Sequence, residues 1–151
     1  MRKLICSVQQ GKVARALFPG LEAALKSCYA EHFGARPAVM MIWIEVPQGQ
    51  GYTEGRLSDV SWIMVEVEDG LAQSRREAAM LALAAQWARV AGVATDRIVL
   101  TLCDSAVLSQ YLAANRQRLR PLSRIGYLVK TLTALWSSRR RHGFLSMPAN
   151  L

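Results

Sequence analysis

The stretch VSWIMVEVEDGLAQSRREAAMLALAAQWARVAGVATDRIVLTL, residues 60–102, decides the fold of this chain. Its first nine residues alternate along a pleat, and both faces of the resulting strand are partly apolar. A turn then leads into an amphipathic helix that Gln73 or Ser74 can cap and that Gly92 ends. The last five residues form a second apolar strand. The stretch therefore predicts a strand–helix–strand unit whose helix buries a face of small residues, formed by Ala78, Leu81, Ala82, Ala85 and Ala88.

The N-terminal part of the chain shows the same order of elements. A short apolar strand, Leu4–Val8, precedes a helix that starts near Val13, with Pro19 in its first turn or at a break before it, and that ends at Gly34. The apolar run at residues 39–44 is too short for a helix, and we interpret it as a strand buried on both faces. The apolar positions of the helix recur at spacings of three and four: Leu17, Leu21, Ala24, Leu25 and Cys28.

The two units match in spacing. Gly11 corresponds to Gly70 with an offset of 59 residues, and Gly34 corresponds to Gly92 with an offset of 58. Residues 48–59, between the units, are polar and glycine-rich and predict a loop or a short hairpin. The fold class predicted is α+β, with duplicated β-α-β units that form one sheet and place both helices on a single face.

Charge divides the chain at Asp104. All 11 acidic residues lie at or before this position and are balanced there by 11 of the 19 basic residues, so residues 105–151 carry the whole net charge of +8. Apolar residues in that segment follow a helical stripe, which ends in Arg139-Arg140-Arg141. We therefore divide the chain into a domain at 1–112 and a basic amphipathic helical extension at 113–151. The predicted stripe consists of Leu122, Ile125, Leu128, Val129, Leu132, Leu135 and Trp136.

The cysteines and histidines argue against metal or disulfide chemistry. Cys6, Cys28 and Cys103 are odd in number and widely spaced, which predicts buried free thiols. With only His32 and His142 beside them, no metal site and no cofactor are predicted. No apolar run approaches the roughly 18 residues of a membrane span, and the apolar stretch after the basic N-terminus is too short for a signal peptide. We expect a cytoplasmic protein.

Three short motifs lie at the ends of the two predicted helices. Residues 33–37 (FGARP) close the first helix, residues 68–71 (EDGL) enter the second, and residues 94–100 (ATDRIVL), followed by Cys103-Asp104, leave it. Together they resemble the tautomerase superfamily, which includes macrophage migration inhibitory factor, 4-oxalocrotonate tautomerase and the cis-3-chloroacrylic acid dehalogenase group. The resemblance covers residues 2–112 and implies a homotrimer whose sheets form a central barrel wrapped by six helices.

The resemblance also implies an active site at the start of the first strand. In that family an N-terminal proline, exposed by removal of methionine, acts as a base or as an electrostatic acid according to its pKa. Here the position is occupied by Arg2. Trimming of Met1 before so bulky a side chain is not expected, so the terminal amine would be the primary amine of Met1. This departure removes the main reason to predict tautomerase activity, and the catalytic residues stay unknown.

The carboxylate-binding arginines of the dehalogenase-like members are also displaced. Where they would lie before the second helix, this chain has Glu68 and Leu71. Arg75 and Arg76 follow in the first turn of that helix, where they could bind an anion or simply face water. Tyr29 falls where the dehalogenase group carries a histidine, although a tyrosine on an amphipathic helix is usually packed.

Three functions compete on this evidence. The first is a homotrimeric binding or scaffold protein without proline-dependent activity. The second is a diverged isomerase or dehalogenase-like enzyme that holds a small carboxylate with Arg2, Arg36, Arg75 or Arg76. The third is binding of an anionic membrane surface through residues 122–142. Nucleic acid is disfavoured as a partner because no motif with interleaved aromatic residues is present. In the plainest alternative, the stripe packs on the body of the protein or on a neighbouring subunit.

The fold has a rival as well. A ferredoxin-like domain has the same β-α-β-β-α-β element order, and periodicity does not separate the two folds. A stable trimer would favour the tautomerase-like fold, and a monomer would favour the ferredoxin-like one.

Overall fold

The computed structural model describes residues 1–53, 55–118 and 121–149, and it contains two strand–helix–strand units. The first unit is β1 (Arg2–Gln9), α1 (Phe18–Phe33) and β2 (Val39–Val46). A small hairpin of β3 (Tyr52–Thr53) and β4 (Arg56–Leu57) follows it. The second unit is β5 (Ser61–Val67), α2 (Gln73–Ala91) and β6 (Ile98–Asp104). The chain ends with α3 (Ser105–Gln117), α4 (Pro121–His142) and β7 (Ser146–Pro148).

The strand order confirms the predicted fold class. The main sheet runs β6-β5-β1-β2-β7. Within each unit the two strands pair directly and in parallel, β1 with β2 and β5 with β6, while β1 and β5 pair antiparallel at the centre. In the split arrangement of a ferredoxin-like domain, another strand separates the two strands of each unit. Direct pairing of β1 with β2 therefore excludes the rival fold.

The core lies between the sheet and the helices α1 and α2, which also pack on each other. Because side chains alternate along a strand, the residues Leu4, Cys6 and Val8 of β1 all point to this side. The Phe18 ring stacks on Trp43 with centroids 3.8 Å apart, and Trp87 of α2 lies 5.7 Å from the Trp43 ring. This aromatic layer joins the two units into one core.

Three local predictions about the helices were wrong. Regular helix α1 begins at Phe18 and not near Val13. Pro19 lies in its first turn, where a backbone N–H would have no carbonyl partner within the helix, so the missing N–H of proline costs nothing. Neither Gln73 nor Ser74 caps α2, since the preceding residue is Ala72 and no side chain caps the helix. The buried face of α2 is Ala79, Leu83 and Trp87, and Leu81 is 74% exposed. The large side chains at 83 and 87 bury more apolar area than a face of alanines, so they set the orientation.

One face of the sheet is uncovered in the single chain. Opposite the helices, Trp62 is 51% exposed and Val99 is 44% exposed. Neighbouring apolar side chains on this face are only half-buried: Ile5, Met40, Ile42, Ile44 and Met64. The expectation that β2 is buried on both faces is therefore wrong for a single chain, because the helices cover only one face of the sheet.

The C-terminal segment returns to the sheet, which the sequence pattern did not predict. β7 pairs in parallel with the outer edge of β2, with Ser146 opposite Trp43. The buried Phe144 ring packs edge-on against Phe18, with centroids 5.1 Å apart, and Ser138 Oγ donates to the Phe144 carbonyl at 3.0 Å. Across the residues that the structure describes, none of the helices combines the length and low polarity of a membrane span.

Candidate functional site

Arg2 lies at the start of β1, directly beside the start of β2. Its backbone N–H donates to the Ala38 carbonyl at 2.9 Å, and its Cα is paired with that of Val39. The side chain is largely buried, and Nη1 lies 3.6 Å from Glu66 Oε1. Arg2 therefore acts as a regular strand residue whose guanidinium pairs with a carboxylate of β5.

Glu66 is the centre of the polar groups at this end of the sheet. The backbone N–H of Lys3 donates to Oε2 at 2.9 Å, and Lys3 Nζ lies 3.3 Å from the same oxygen. On the other side, Ser105 Oγ lies 2.7 Å from Oε1. The carboxylate side chain is only 7% exposed. Tyr29 also contacts Glu66, as described below. We call these five residues the Glu66 cluster: Arg2, Lys3, Tyr29, Glu66 and Ser105.

The protonation state of Glu66 follows from these contacts. Burial by itself raises the pKa of a carboxyl, but the hydrogen bonds from Ser105 and from the Lys3 backbone, together with the Lys3 ammonium, outweigh it. The pKa of Glu66 therefore lies below its ordinary value. At neutral pH the group is an ionised, internally paired carboxylate and not a proton donor.

Tyr29 joins the cluster from α1. Its hydroxyl donates to the Glu66 backbone carbonyl at 3.1 Å, and its ring lies 4.8 Å from that of Phe33. Burial raises the pKa of Tyr29, and although Arg2 lowers it, the charges of Glu66 and Glu68 raise it further. The phenol therefore stays neutral and serves as a hydrogen-bond donor within the fold.

The two arginines at the start of α2 face different partners, as neighbours on a helix do. Arg75 Nη2 donates to the His32 carbonyl at 2.7 Å, near the C-terminal end of α1, where a cation suits the helix dipole. Its Nη1 also lies 3.5 Å from Glu68 Oε1. Arg76 pairs with Asp104 at the end of β6, and its Nε donates to the Leu71 carbonyl at 3.1 Å.

The structure brings most of the predicted site residues to one end of the sheet. Arg2 and Tyr29 both contact Glu66, and Arg76 pairs with Asp104, which precedes Ser105 of the Glu66 cluster. Arg75 ties the start of α2 to the end of α1, as described above. Arg36 instead lies exposed between α1 and β2. Whether any of these residues binds a ligand stays a prediction.

Sequence reasoning missed Glu66, Lys3 and Ser105. One signal for Glu66 was available, since a carboxylate between Val65 and Val67 in an otherwise apolar strand is costly to bury without partners. Which residues would supply those partners was not readable, because Lys3 is 63 residues away along the chain and Ser105 is 39 residues away.

The thiols and the possible metal ligands add little chemistry here. Cys6 and Cys28 are buried, as predicted, and Cys103 is half-buried. Burial raises the pKa of all three thiols, so they stay protonated at neutral pH. Among the side chains described, His, Cys, Asp and Glu nowhere gather in a group of three that could hold a metal ion.

A cavity of about 340 Å³ lies at the opposite end of β1 from Arg2. Its lining includes Gln9, the β3–β4 hairpin residue Tyr52, and Trp62 and Val99 of the uncovered sheet face. Eight residues of strand span about 25 Å, so this cavity is well separated from the Glu66 cluster. None of the predicted site residues lines it.

Comparison with solved structures identifies the architecture. The native Ps01740 protein is 20% identical, with a TM-score of 0.63 over 68% of this chain and 92% of that one. A fused 4-OT solved as a symmetric trimer is 21% identical, with a TM-score of 0.62 over 68% and 84% of the two chains. The protein N1, a member of the cis-3-chloroacrylic acid dehalogenase family, is 14% identical, with a TM-score of 0.63 over 68% and 73%.

This chain has the tautomerase-superfamily fold. The predicted resemblance is thus confirmed for the fold. No family model matches the sequence, and no curated protein matches it either. Each of these three comparisons leaves about a third of this chain uncovered.

Proposed function

We propose that this chain forms a homotrimer with the tautomerase-superfamily fold and acts as a binding protein without proline-dependent catalysis. The observation that carries the proposal is the state of Arg2. A catalytic base at the start of β1 needs a free amine, whereas the nitrogen of Arg2 is an amide whose N–H is donated to Ala38. The guanidinium beside it is paired with Glu66.

The other groups at this end of the sheet support the same conclusion. The cations that could grip a substrate carboxylate already have internal partners, with Arg76 on Asp104 and Arg75 on the His32 carbonyl. The hydroxyls of Tyr29 and Ser105 both donate hydrogen bonds to Glu66. Residues engaged in this way hold the ends of β1, β5 and β6 together, which is a structural role.

The uncovered sheet face supports self-association. The half-exposed Trp62 is paired with Val99, and Ile42 and Ile44 lie on the same face of the sheet, so this face leaves apolar surface in water that a partner would remove. Several solved 4-OT structures with this fold are trimers. A closed trimer with this face turned inward would bury the apolar strip in all three copies at once.

Enzymatic assay of the parent chain tests the lack of proline chemistry. We expect enol–keto conversion of phenylpyruvate and of 2-hydroxymuconate to proceed no faster than in buffer. The same turnover is measured for Arg2→Pro, in which trimming of Met1 exposes a proline, and for Arg2→Gln as its control. Robust turnover by the parent would show that the proposal is wrong.

Light scattering tests the oligomer. The parent should have three times the mass of one chain, and Trp62→Asp should reduce the mass to that of a monomer, because a charge in the buried interface is not tolerated. Leu81→Asp, at an apolar position that is more exposed and lies on the outer side of α2, is the control and should leave the mass unchanged. A monomeric parent would refute the trimer.

A second candidate is binding of a small carboxylate, since two cations, Arg2 and Lys3, face the single carboxylate Glu66. An anion could neutralise the excess positive charge. Titration calorimetry with phenylpyruvate tests this idea. Binding should be lost in Arg2→Gln and in Lys3→Gln, and kept in Arg89→Gln. No heat of binding in the parent would end this candidate.

A further inference from the structure

An apolar stripe on α4 lies in water. The side chains of Ile125, Leu128, Val129, Leu132 and Trp136 are between 47% and 64% exposed. They follow spacings of three and four along about 17 Å of the helix axis and form one continuous line. We call these five residues the α4 apolar stripe. Leu135 of the predicted stripe is half-buried, and the side chain of Leu122 lies outside the described residues.

The stripe faces away from the protein. Among the described residues of α4, the buried and half-buried side chains are centred on another side of the helix: Arg124, Tyr127, Thr131, Ala134, Leu135, Ser137 and Ser138. At 100° per residue the two sets are centred roughly 140° apart. Of the alternatives raised by the sequence, packing of this stripe on the body of the same chain is therefore wrong, because α4 docks through a different face.

Cations border the stripe. Arg139 and Arg140 follow Trp136 and lie on either side of it, about 60° and 40° away around the helix. The guanidinium carbon of Arg140 is 4.0 Å from the centroid of the Trp136 ring. Lys130 and Arg141 are exposed as well, but they lie roughly 150° around the helix from the centre of the stripe. The arrangement places an aromatic residue at the edge of an apolar line, with cations immediately next to it.

We propose that the α4 apolar stripe binds an anionic lipid surface, with α4 lying parallel to the membrane plane. The stripe enters the boundary between headgroups and acyl chains, and the neighbouring arginines pair with lipid phosphates and carboxylates. Charge complementarity selects this partner, because residues 105–151 contain eight cations and no acid. This site lies outside the Glu66 cluster and outside the proposed trimer face.

Two other occupants fit the charges and the stripe less well. A second copy of α4 would bring two acid-free cationic segments together, and their repulsion opposes pairing. Nucleic acid would satisfy the arginines through phosphates, but it would leave the apolar stripe in water. A lipid surface satisfies both parts at once.

Co-sedimentation of the whole chain with vesicles tests the proposal. We expect binding to vesicles of phosphatidylcholine mixed with phosphatidylserine, weaker binding as salt is raised, and none to phosphatidylcholine alone. Leu132→Ser should weaken partitioning about tenfold. Leu81→Ser, which removes an even more exposed leucine from α2, should bind like the parent. Both residues are exposed, so thermal unfolding should show that each variant folds.

A charge series completes the test. Arg139→Gln/Arg140→Gln should weaken binding more than Arg56→Gln/Arg89→Gln, which removes the same charge from other parts of the surface. Absence of binding to the mixed vesicles, or equal binding by Leu132→Ser and the parent, would overturn the proposal. A drop in oligomer mass on Leu132→Ser would also overturn it, since a second copy would then cover the stripe. None of these outcomes bears on the mass change expected for Trp62→Asp.

Discussion

The body of the molecule, residues 1–104, and the C-terminal segment, residues 105–151, use charge in opposite ways. In the body, acids and bases balance, and buried carboxylates such as Glu66 and Glu45 are held by cations of the same chain. The C-terminal segment contains eight basic side chains and no Asp or Glu. Charge in the body is balanced by side chains of both signs, whereas the acidic side chains that could balance the segment are absent from its own sequence.

The two regions also treat a helical apolar stripe differently. In α2, Leu83 and Trp87 are fully buried in the core. In α4, Leu132 and Trp136 follow the same spacing and lie in water. An amphipathic pattern therefore tells which side of a helix is apolar, and it does not tell whether the same chain covers that side.

The largest difference in stability between the two regions is expected from a pair of tryptophan variants. Trp43→Ala should lower the free energy of unfolding by about 4 kcal/mol, because it removes the ring stacked on Phe18 and leaves a cavity in the core. Trp136→Ala should change it by no more than about 0.5 kcal/mol. Urea unfolding followed by circular dichroism measures both. Equal losses would mean that α4 is covered in the free protein. Trp43→Phe provides a milder variant if the alanine variant fails to fold.

The contact that joins the two regions comes next. Phe144→Ala should cost about 3 kcal/mol, because the buried ring packs on Phe18 and holds β7 near the edge of β2. Limited proteolysis should then cut the C-terminal segment while the body survives. Tyr111→Ala, at an exposed position of α3, is the control and should not change the cleavage pattern. Unchanged protection in Phe144→Ala would show that β7 is held by other contacts.

The pairing inside the body should appear in its response to acid. Glu66→Gln should lower the free energy of unfolding at neutral pH by about 2 kcal/mol. Because the pKa of Glu66 is lower in the folded state, its contribution is complete above roughly pH 5 and is lost as pH falls through the folded pKa. The parent should therefore lose more stability than the variant on acidification. Glu77→Gln, at an exposed site of α2, serves as the control. Parallel pH profiles of Glu66→Gln and the parent would contradict the assignment.

The smallest effect is expected where the segment's charges face water. Arg140→Gln removes the guanidinium above the exposed Trp136 ring and should lower stability by about 0.5 kcal/mol. Thermal unfolding at low salt measures the change. A loss of several kcal/mol would place Arg140 in the folded core of the protein and would undermine the comparison between the two regions.

Sequence reasoning recovered the larger elements because their signals are local. Apolar runs in the sequence predict the strands β1, β2, β5 and β6, and the glycines at 34 and 92 mark the ends of α1 and α2. Several residues that meet at this end of the sheet could be named from the sequence, although their binding role stays a prediction. Arg2, Tyr29 and Arg76 were named in advance, but the carboxylates that hold Arg2 and Arg76 were not, since Glu66 and Asp104 are distant along the chain.

The amino-acid order alone determined the duplicated strand–helix–strand units, the absence of proline at the start of β1, and the concentration of charge after Asp104. Tertiary structure decided the strand order, the partners of each buried charge, the return of β7 to β2, and the exposure of the α4 apolar stripe. The reason is range. Periodicity and turns depend on neighbours within a few residues, whereas pairing and burial depend on which distant surfaces meet in space.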